Sequence, residues 1–261
     1  MKQRTLTSVV LALLSMVLLG CFHLPWVPQL IAILLGCGAV WEILGANGIR
    51  NKGSYAAGLF LAVIIPLFSL TEKVWWMAAA LVLGLGFFTY LMTRIGKQAP
   101  AWVAAPEIVL ALSLYRGLAC YGEIPHGAFF LCLTGLICAL TDIFAYLVGS
   151  RFGRHKLAPK VSPGKSIEGA LGGLSITVVL IVLVFGRFFD DIGMLVLYTA
   201  VVSILGQFGD LSMSAVKRVA GVKDFGHIFP GHGGILDRCD SLMYPLAFTW
   251  LLYCAQIWIF V

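Results

Sequence analysis

Residues 192–212 read IGMLVLYTAVVSILGQFGDLS, twenty-one positions in which Asp210 is the one charged side chain. At a rise of about 1.5 Å per residue, a helix of this length matches a hydrocarbon core of about 30 Å. The stretch also carries a polar stripe. Ser203, Gln207, Asp210, Ser214 and Lys217 follow one another at steps of four, three, four and three, which stacks them on a single helical face. Such a stripe either buries hydrogen bonds between helices or forms one wall of a polar cavity. Its carboxylate and its continuation into Lys217 and Arg218 favour the cavity, because charge at membrane depth is costly unless it serves a site. Gly206 and Gly209 beside the stripe let another helix or a ligand come close.

The rest of the chain repeats the apolar pattern. Of 261 residues, 60% are apolar and 11% charged, with a mean hydropathy of +0.96; a soluble domain carries roughly 25% charge. Apolar runs fall at 6–22, 27–46, 55–70, 74–92, 102–121, 127–148, 167–185, 192–212 and 242–260. These predict an all-α polytopic membrane protein with about nine transmembrane helices. No hydrophilic region is long enough for a separate soluble domain, so residues 1–261 are expected to form one integral membrane domain.

Basic residues orient the spans. With the N-terminus cytoplasmic, Lys2, Arg4, Arg50, Lys52, Arg94, Lys97, Arg151, Arg154, Lys156, Lys160, Lys165, Lys217, Arg218, Lys223 and Arg238 fall inside, and only Lys73, Arg116 and Arg187 fall outside. The positive-inside rule reads this as a cytoplasmic N-terminus and an outer C-terminus. The net charge of +6 is then mostly topology, and no nucleic-acid partner is expected. Leu18-Leu19-Gly20-Cys21 loosely resembles a lipoprotein cleavage site, but a second apolar span follows at once, and no cleavage is expected. The seven cysteines contain no Cys-x-x-Cys pair and read as small core residues. Gly164-Lys165-Ser166 has Pro159 where a P-loop needs glycine and a loop after a membrane helix where it needs a strand, so that reading fails.

Chemistry concentrates between the last two spans. Lys217, Arg218, Lys223 and Asp224 lead into Pro230-Gly231-His232-Gly233-Gly234, followed by Asp237, Arg238 and Asp240. Glycines permit a backbone nest suited to phosphate oxygens, and His232 either donates to a phosphate or makes a local structural contact. Asp237 and Asp240 share a face with Ser241 at the start of the ninth span; capping the helix and serving a site are both open to them. Carboxylates for a divalent metal, cations for a polyphosphate and a glycine loop are the parts needed to transfer a phosphoryl or nucleotidyl group. Hydrolase, zinc-protease and dinucleotide motifs are absent from the sequence. Asp142, in the sixth span, is a further candidate for the polar cavity, and Glu42 and Glu107 are weaker ones that pair equally well with a polar neighbour.

The run Ser214, Lys217, Arg218, Lys223, Asp224, Gly226, Pro230, His232, Gly233, Gly234, Asp237, Arg238 and Asp240 closely resembles the signature of the phosphatidate cytidylyltransferases, also called CDP-diacylglycerol synthases. A second block, Asp142 to Tyr146 followed by residues 149–169, is similar to the same family. Both lie in a C-terminal half, 126–261, which the resemblance makes catalytic; the helices of 1–125 match only in hydrophobic pattern and in Trp41-Glu42. Two positions depart from the pattern: Met213 stands where the family often has glutamate, leaving Asp210 without an adjoining acid, and Cys239 replaces a larger apolar residue, a change expected to affect packing alone.

The resemblance implies transfer of the cytidylyl group of CTP to phosphatidate, giving CDP-diacylglycerol and pyrophosphate. It makes Asp210 and Asp237 ligands of magnesium, a hard cation suited to oxygen donors. Lys217, Arg218, Lys223 and Arg238 are expected to neutralise phosphate charge, with Asp224, His232 and Asp240 completing the catalytic group. Asp142, Arg151, Arg154, Lys156, Ser162, Lys165, Ser214, Gly231, Gly233 and Gly234 are expected to bind substrate. The same basic loop, 151–165, also satisfies the orientation rule without any ligand. A cell-membrane location with the site on the cytoplasmic side follows, and family members suggest a homodimer. A CTP-dependent polyprenol-type lipid kinase and an anionic-solute transporter are the competing readings; the transporter is disfavoured because the polar residues gather on one side of the membrane.

Overall fold

The computed structural model describes residues 20–22, 24, 26–67, 74–95, 103–226, 228 and 233–256. The apolar runs become helices: α1 (Trp26–Ala46), α2 (Lys52–Leu67), α3 (Val74–Arg94), α4 (Ala104–Cys120), α5 (Gly127–Phe152), α6 (Ile167–Phe185), α7 (Ile192–Val219), α8 (Leu236–Cys239) and α9 (Met243–Cys254). Among the described residues, four stretches are long and apolar enough to cross a membrane: Trp26–Ala46, Gly127–Phe152, Ile167–Phe188 and Ile192–Val219. Helices α2 and α9 are shorter than a full span as described, and most of the expected span 6–22 lies outside the described residues.

The expectation of a purely helical chain needs one correction. Strand β1 (Lys156–Ala158) pairs antiparallel with β2 (Ser162–Ser166), so the basic loop after α5 is a short hairpin. Helix α5 ends at Gly153, which is extended, and Pro159 and Pro163 keep the following segment from resuming as helix. Ser166 then caps α6, its Oγ accepting from Gly169 N at 3.1 Å, and Asp191 caps α7 through Met194 N in the same way.

Two features bring the helices together at the charged end. Along α5 and α6, a Cβ on Gly169 or Gly173 would stand 2.6 Å from the carbonyl oxygen of Ala145 or Thr141, so these backbones meet because the side chains are absent. Gly209 makes the same room on α7 for the carbonyl of Asp240, and Gly206 for Cys138 and Ser241. The glycines that flank the polar stripe therefore admit neighbouring protein. At mid-bundle, hydroxyls stitch the helices: Tyr198 Oη lies 2.7 Å from Thr134 Oγ1 and 3.0 Å from Thr249 Oγ1, and Thr141 donates to Ser203 at 2.9 Å.

Candidate active site

Helix α7 runs seven residues past the expected span end, and this polar extension carries the site. The stripe read from the sequence divides along it. Ser203 is fully buried and bonded to Thr141, and so belongs to the core. Gln207 and Asp210 face a cavity of about 370 Å³ whose walls also include Asp142 and Tyr146 of α5 and Ser162 and Lys165 of β2. Lys165 Nζ pairs with Asp210 Oδ2 across this cavity, both side chains being about a quarter exposed (28% and 27%). Ser214 Oγ lies one turn further on, 3.5 Å from Asp210 Oδ1. Asp142 is within electrostatic reach of both Lys165 and Asp210. The acid that Met213 withholds from the sequence neighbourhood of Asp210 is thus supplied in space from α5, while Met213 itself is buried.

A second cluster forms two turns along α7. The Lys217 side chain is buried, donates to Asp237 Oδ1 at 2.8 Å and lies over the Phe225 ring at 5.6 Å. Asp237 Oδ2 accepts from the backbone amides of Phe225 and Gly234, each at 2.9 Å. Burial raises the carboxyl pKa of Asp237, but the Lys217 ammonium and the two amides outweigh it and hold the group below its ordinary value. Asp240 is buried without such partners; its Oδ1 accepts from Ser241 N at 2.8 Å, and burial, reinforced by Asp210, pushes its carboxyl up to about 7.

Other expected residues take different places. Arg218 donates through Nε to the Val161 carbonyl and through Nη1 to that of Val222, so it ties the β1–β2 hairpin to the end of α7. Lys223, Asp224 and Arg238 are exposed around the 224–238 loop. Arg151, Arg154 and Lys156 are exposed beside the hairpin, and none of the three lines the cavity. Glu168 secures this corner: it accepts from the backbone amides of Arg154 and His155 and lies 2.6 Å from His155 Nδ1. Gly231 and His232 lie outside the described residues.

The described end of the glycine loop, Gly233 and Gly234, lies against carboxylates. Gly233 adopts φ +83°, a left-handed conformation, and a Cβ there would meet Asp237 Oδ2 at 2.9 Å. The amide of Gly234 is given to Asp237, and those of Ile235 and Leu236 go to Glu42 of α1 at 2.7 and 2.8 Å. Glu42, a weak candidate in the sequence, therefore holds the loop. Its signal was present: it is the only charged residue in α1. Glu107 has the local role instead, accepting from Asn47 Nδ2 at 2.9 Å.

The arrangement places lysine ammonium groups and carboxylate oxygens at one end of the bundle. Asp210 offers carboxylate oxygen to the cavity, whereas Asp237 keeps one lone pair of Oδ1 beside its bonded partners. Among the described residues no group of three or more acidic, histidine or cysteine side chains converges on one point. A hard cation held here would need substrate phosphates and water to complete its shell.

A helical membrane bundle with acids and lysines gathered at one end is the frame of a membrane enzyme. Comparison with known proteins makes it specific: residues 2–255 match the cytidylyltransferase family, and the chain belongs to that family. It is 37% identical over 257 residues to a phosphatidate cytidylyltransferase of Staphylococcus haemolyticus, covering 94% of this chain and 96% of that one. The proteins of the same name from Staphylococcus epidermidis and Staphylococcus aureus are 36% and 35% identical over 255 and 257 residues, with the same coverage. The resemblance read in the C-terminal half thus extends over nearly the whole chain.

Proposed function

We propose that this protein transfers the cytidylyl group of CTP to phosphatidate, giving CDP-diacylglycerol and pyrophosphate. The observation that carries the reading is the cavity in which Asp210, Asp142 and Lys165 face one another, together with the loop organised by Asp237, in a chain matched over 94% of its length by a phosphatidate cytidylyltransferase. The phosphatidate phosphate is already an anion near neutral pH, so its oxygen attacks the α-phosphorus of CTP without a strong base. The bond from that phosphorus to the bridging oxygen breaks, and pyrophosphate leaves with the electron pair. The obstacle is electrostatic, since two anions must meet.

The chain's own residues address that obstacle. Lys165 releases Asp210 and turns to substrate phosphate, while Lys217, held by Asp237, keeps a fixed positive charge at the loop. Lys223 and Arg238 add exposed positive charge, and Arg218 keeps the hairpin against α7. Asp210 and Asp237 are the proposed ligands of magnesium. When bound, magnesium supplies charge neutralisation for the triphosphate and its leaving pyrophosphate.

The same reading has the charged end facing the cytoplasm, where CTP is found, in a single integral domain of about nine spans with a cytoplasmic N-terminus and an outer C-terminus. Fifteen basic residues on that side against three on the other support it. A homodimer in the cell membrane completes the proposal, and crosslinking in native membranes tests it. Incubating the purified protein with phosphatidate, magnesium and CTP labelled at the α-phosphate tests the reaction. Label is expected in the lipid product; unlabelled lipid overturns the assignment.

A further inference from the structure

Glu42 presents a buried carboxylate in an unusual setting. Its residue is 2% exposed, and none of the ion pairs among the described residues includes it. What balances its charge is backbone: Oε1 accepts from Ile235 N at 2.7 Å and Oε2 from Leu236 N at 2.8 Å, across nearly two hundred residues of chain. Amide bonds to a carboxylate at such distances are charge-assisted, and both oxygens are used together.

The surroundings are cut to admit this acid. A Cβ on Gly226 would stand 2.7 Å from Oε1, and one on Gly234 would stand 2.5 Å from Cδ. On α1 itself, a Cβ on Gly38 would meet Ile235 Cδ1 at 2.5 Å, so this glycine lets the loop lie against the helix. The residue after Leu236 is Asp237, which bonds Lys217 and turns back onto the amides of Phe225 and Gly234. Phe225 and residues 234–236 are therefore held by two carboxylates, that of Asp237 and one brought by α1.

We propose that Glu42 is a positioning residue of the reaction, an internal anion that fixes the amides of Ile235 and Leu236 and so sets where Asp237 and Lys217 present their charges to the nucleotide. The proposal rests on the cytidylyl-transfer reading, and its test separates the two. Glu42→Gln keeps the shape but turns an NH2 group toward one of the two amides. Hydrogen exchange of the purified protein is expected to speed up about tenfold or more at residues 234–237, with the mid-bundle turns of α7 unchanged. In the same variant kcat/KM for CTP is expected to fall about 100-fold, a change in a reaction whose fixed parts must be placed to within a fraction of an ångström.

A second pair of variants guards against simple misfolding. Gly226→Ala pushes a methyl group onto Oε1 and is expected to reduce turnover. Adding Glu42→Asp, which withdraws the carboxylate by one methylene, is expected to recover about tenfold of that loss, a coupling between neighbours of opposite sign to added damage. Unchanged exchange at 234–237 in Glu42→Gln overturns the proposal. So does faster exchange with CTP kinetics intact, or a double variant no better than Gly226→Ala alone. Exchange needs no turnover, so a wild-type protein that fails to label lipid sinks the cytidylyl-transfer reading while the clamp is still judged by exchange.

Discussion

Helix α7 holds two polar regions that obey different rules. Around its middle, Tyr198 and Ser203 are buried and neutral, and each hydroxyl meets another hydroxyl on α5 or α9. Toward its end, Asp210 and Lys217 are charged, and their partners come from connecting segments outside the long helices, the hairpin and the short helix α8. Neutral hydroxyls bonded to each other cost little to bury and join helices. Charges need opposite charges or amide dipoles, and those that borrow them from connecting segments can exchange them for a ligand. The lesson is that polarity in a membrane helix marks a site only where its partners are ionic and are supplied by loops.

Substitutions can break this distinction, the strongest being at Asp237. Asp237→Asn is expected to abolish magnesium-dependent turnover and also to lower the thermal midpoint, because it leaves the buried Lys217 ammonium without its counter-charge, a loss of about 3–5 kcal/mol. Scanning the detergent-solubilised protein by calorimetry alongside the labelling assay checks both. Asp210→Asn is expected to abolish turnover as fully but to move the midpoint by less than about 1 °C, since a partly exposed pair contributes little to stability. Equal destabilisation by the two variants contradicts the division between a structural carboxylate and a cavity carboxylate.

Lys165→Ala comes next: a rise in KM for CTP of about 10- to 100-fold with little change in stability, measured by steady-state kinetics. In the middle of α7 the balance reverses. Tyr198→Phe removes the hydroxyl shared by Thr134 and Thr249 and is expected to cost about 1–3 kcal/mol of stability while leaving kcat within about twofold.

A last expected effect is in pH. The Asp240 carboxyl is raised in the folded protein to about 7, so it favours folding while protonated, and that contribution is lost as pH rises from the ordinary carboxylate range, about 4, through 7. Asp240→Asn should therefore raise the midpoint at pH 8 and leave it less dependent on pH between 5 and 8. A variant with the same slope as the wild type shows that Asp240 is ionised and paired in the folded state.

The parts of this site legible in the sequence were those written within a few residues of each other. The stripe on α7 followed from spacing, and Asp210, Lys217 and Asp237 followed from their place beside a glycine loop. Spacing could not separate Ser203 from Asp210, because the difference lies in Thr141, sixty-two residues away. The hold on Ile235 and Leu236, just past the glycine loop, was not legible because the acid that takes their amides sits on α1, nearly two hundred residues away. Arg218 read as a catalytic cation, and its bond to the Val161 carbonyl appeared only once the hairpin lay against it.

Alone, the sequence determined that the chain is a bundle of membrane helices with its charge gathered between particular spans, because transfer free energy depends on local composition and helical periodicity on local spacing. The tertiary structure decided which charges face a cavity, which are neutralised in the core, and which acid steadies the loop. Those outcomes depend on the partner each group meets across the fold, and at membrane depth an ionisable group's free energy is set by that partner far more than by its neighbours along the chain.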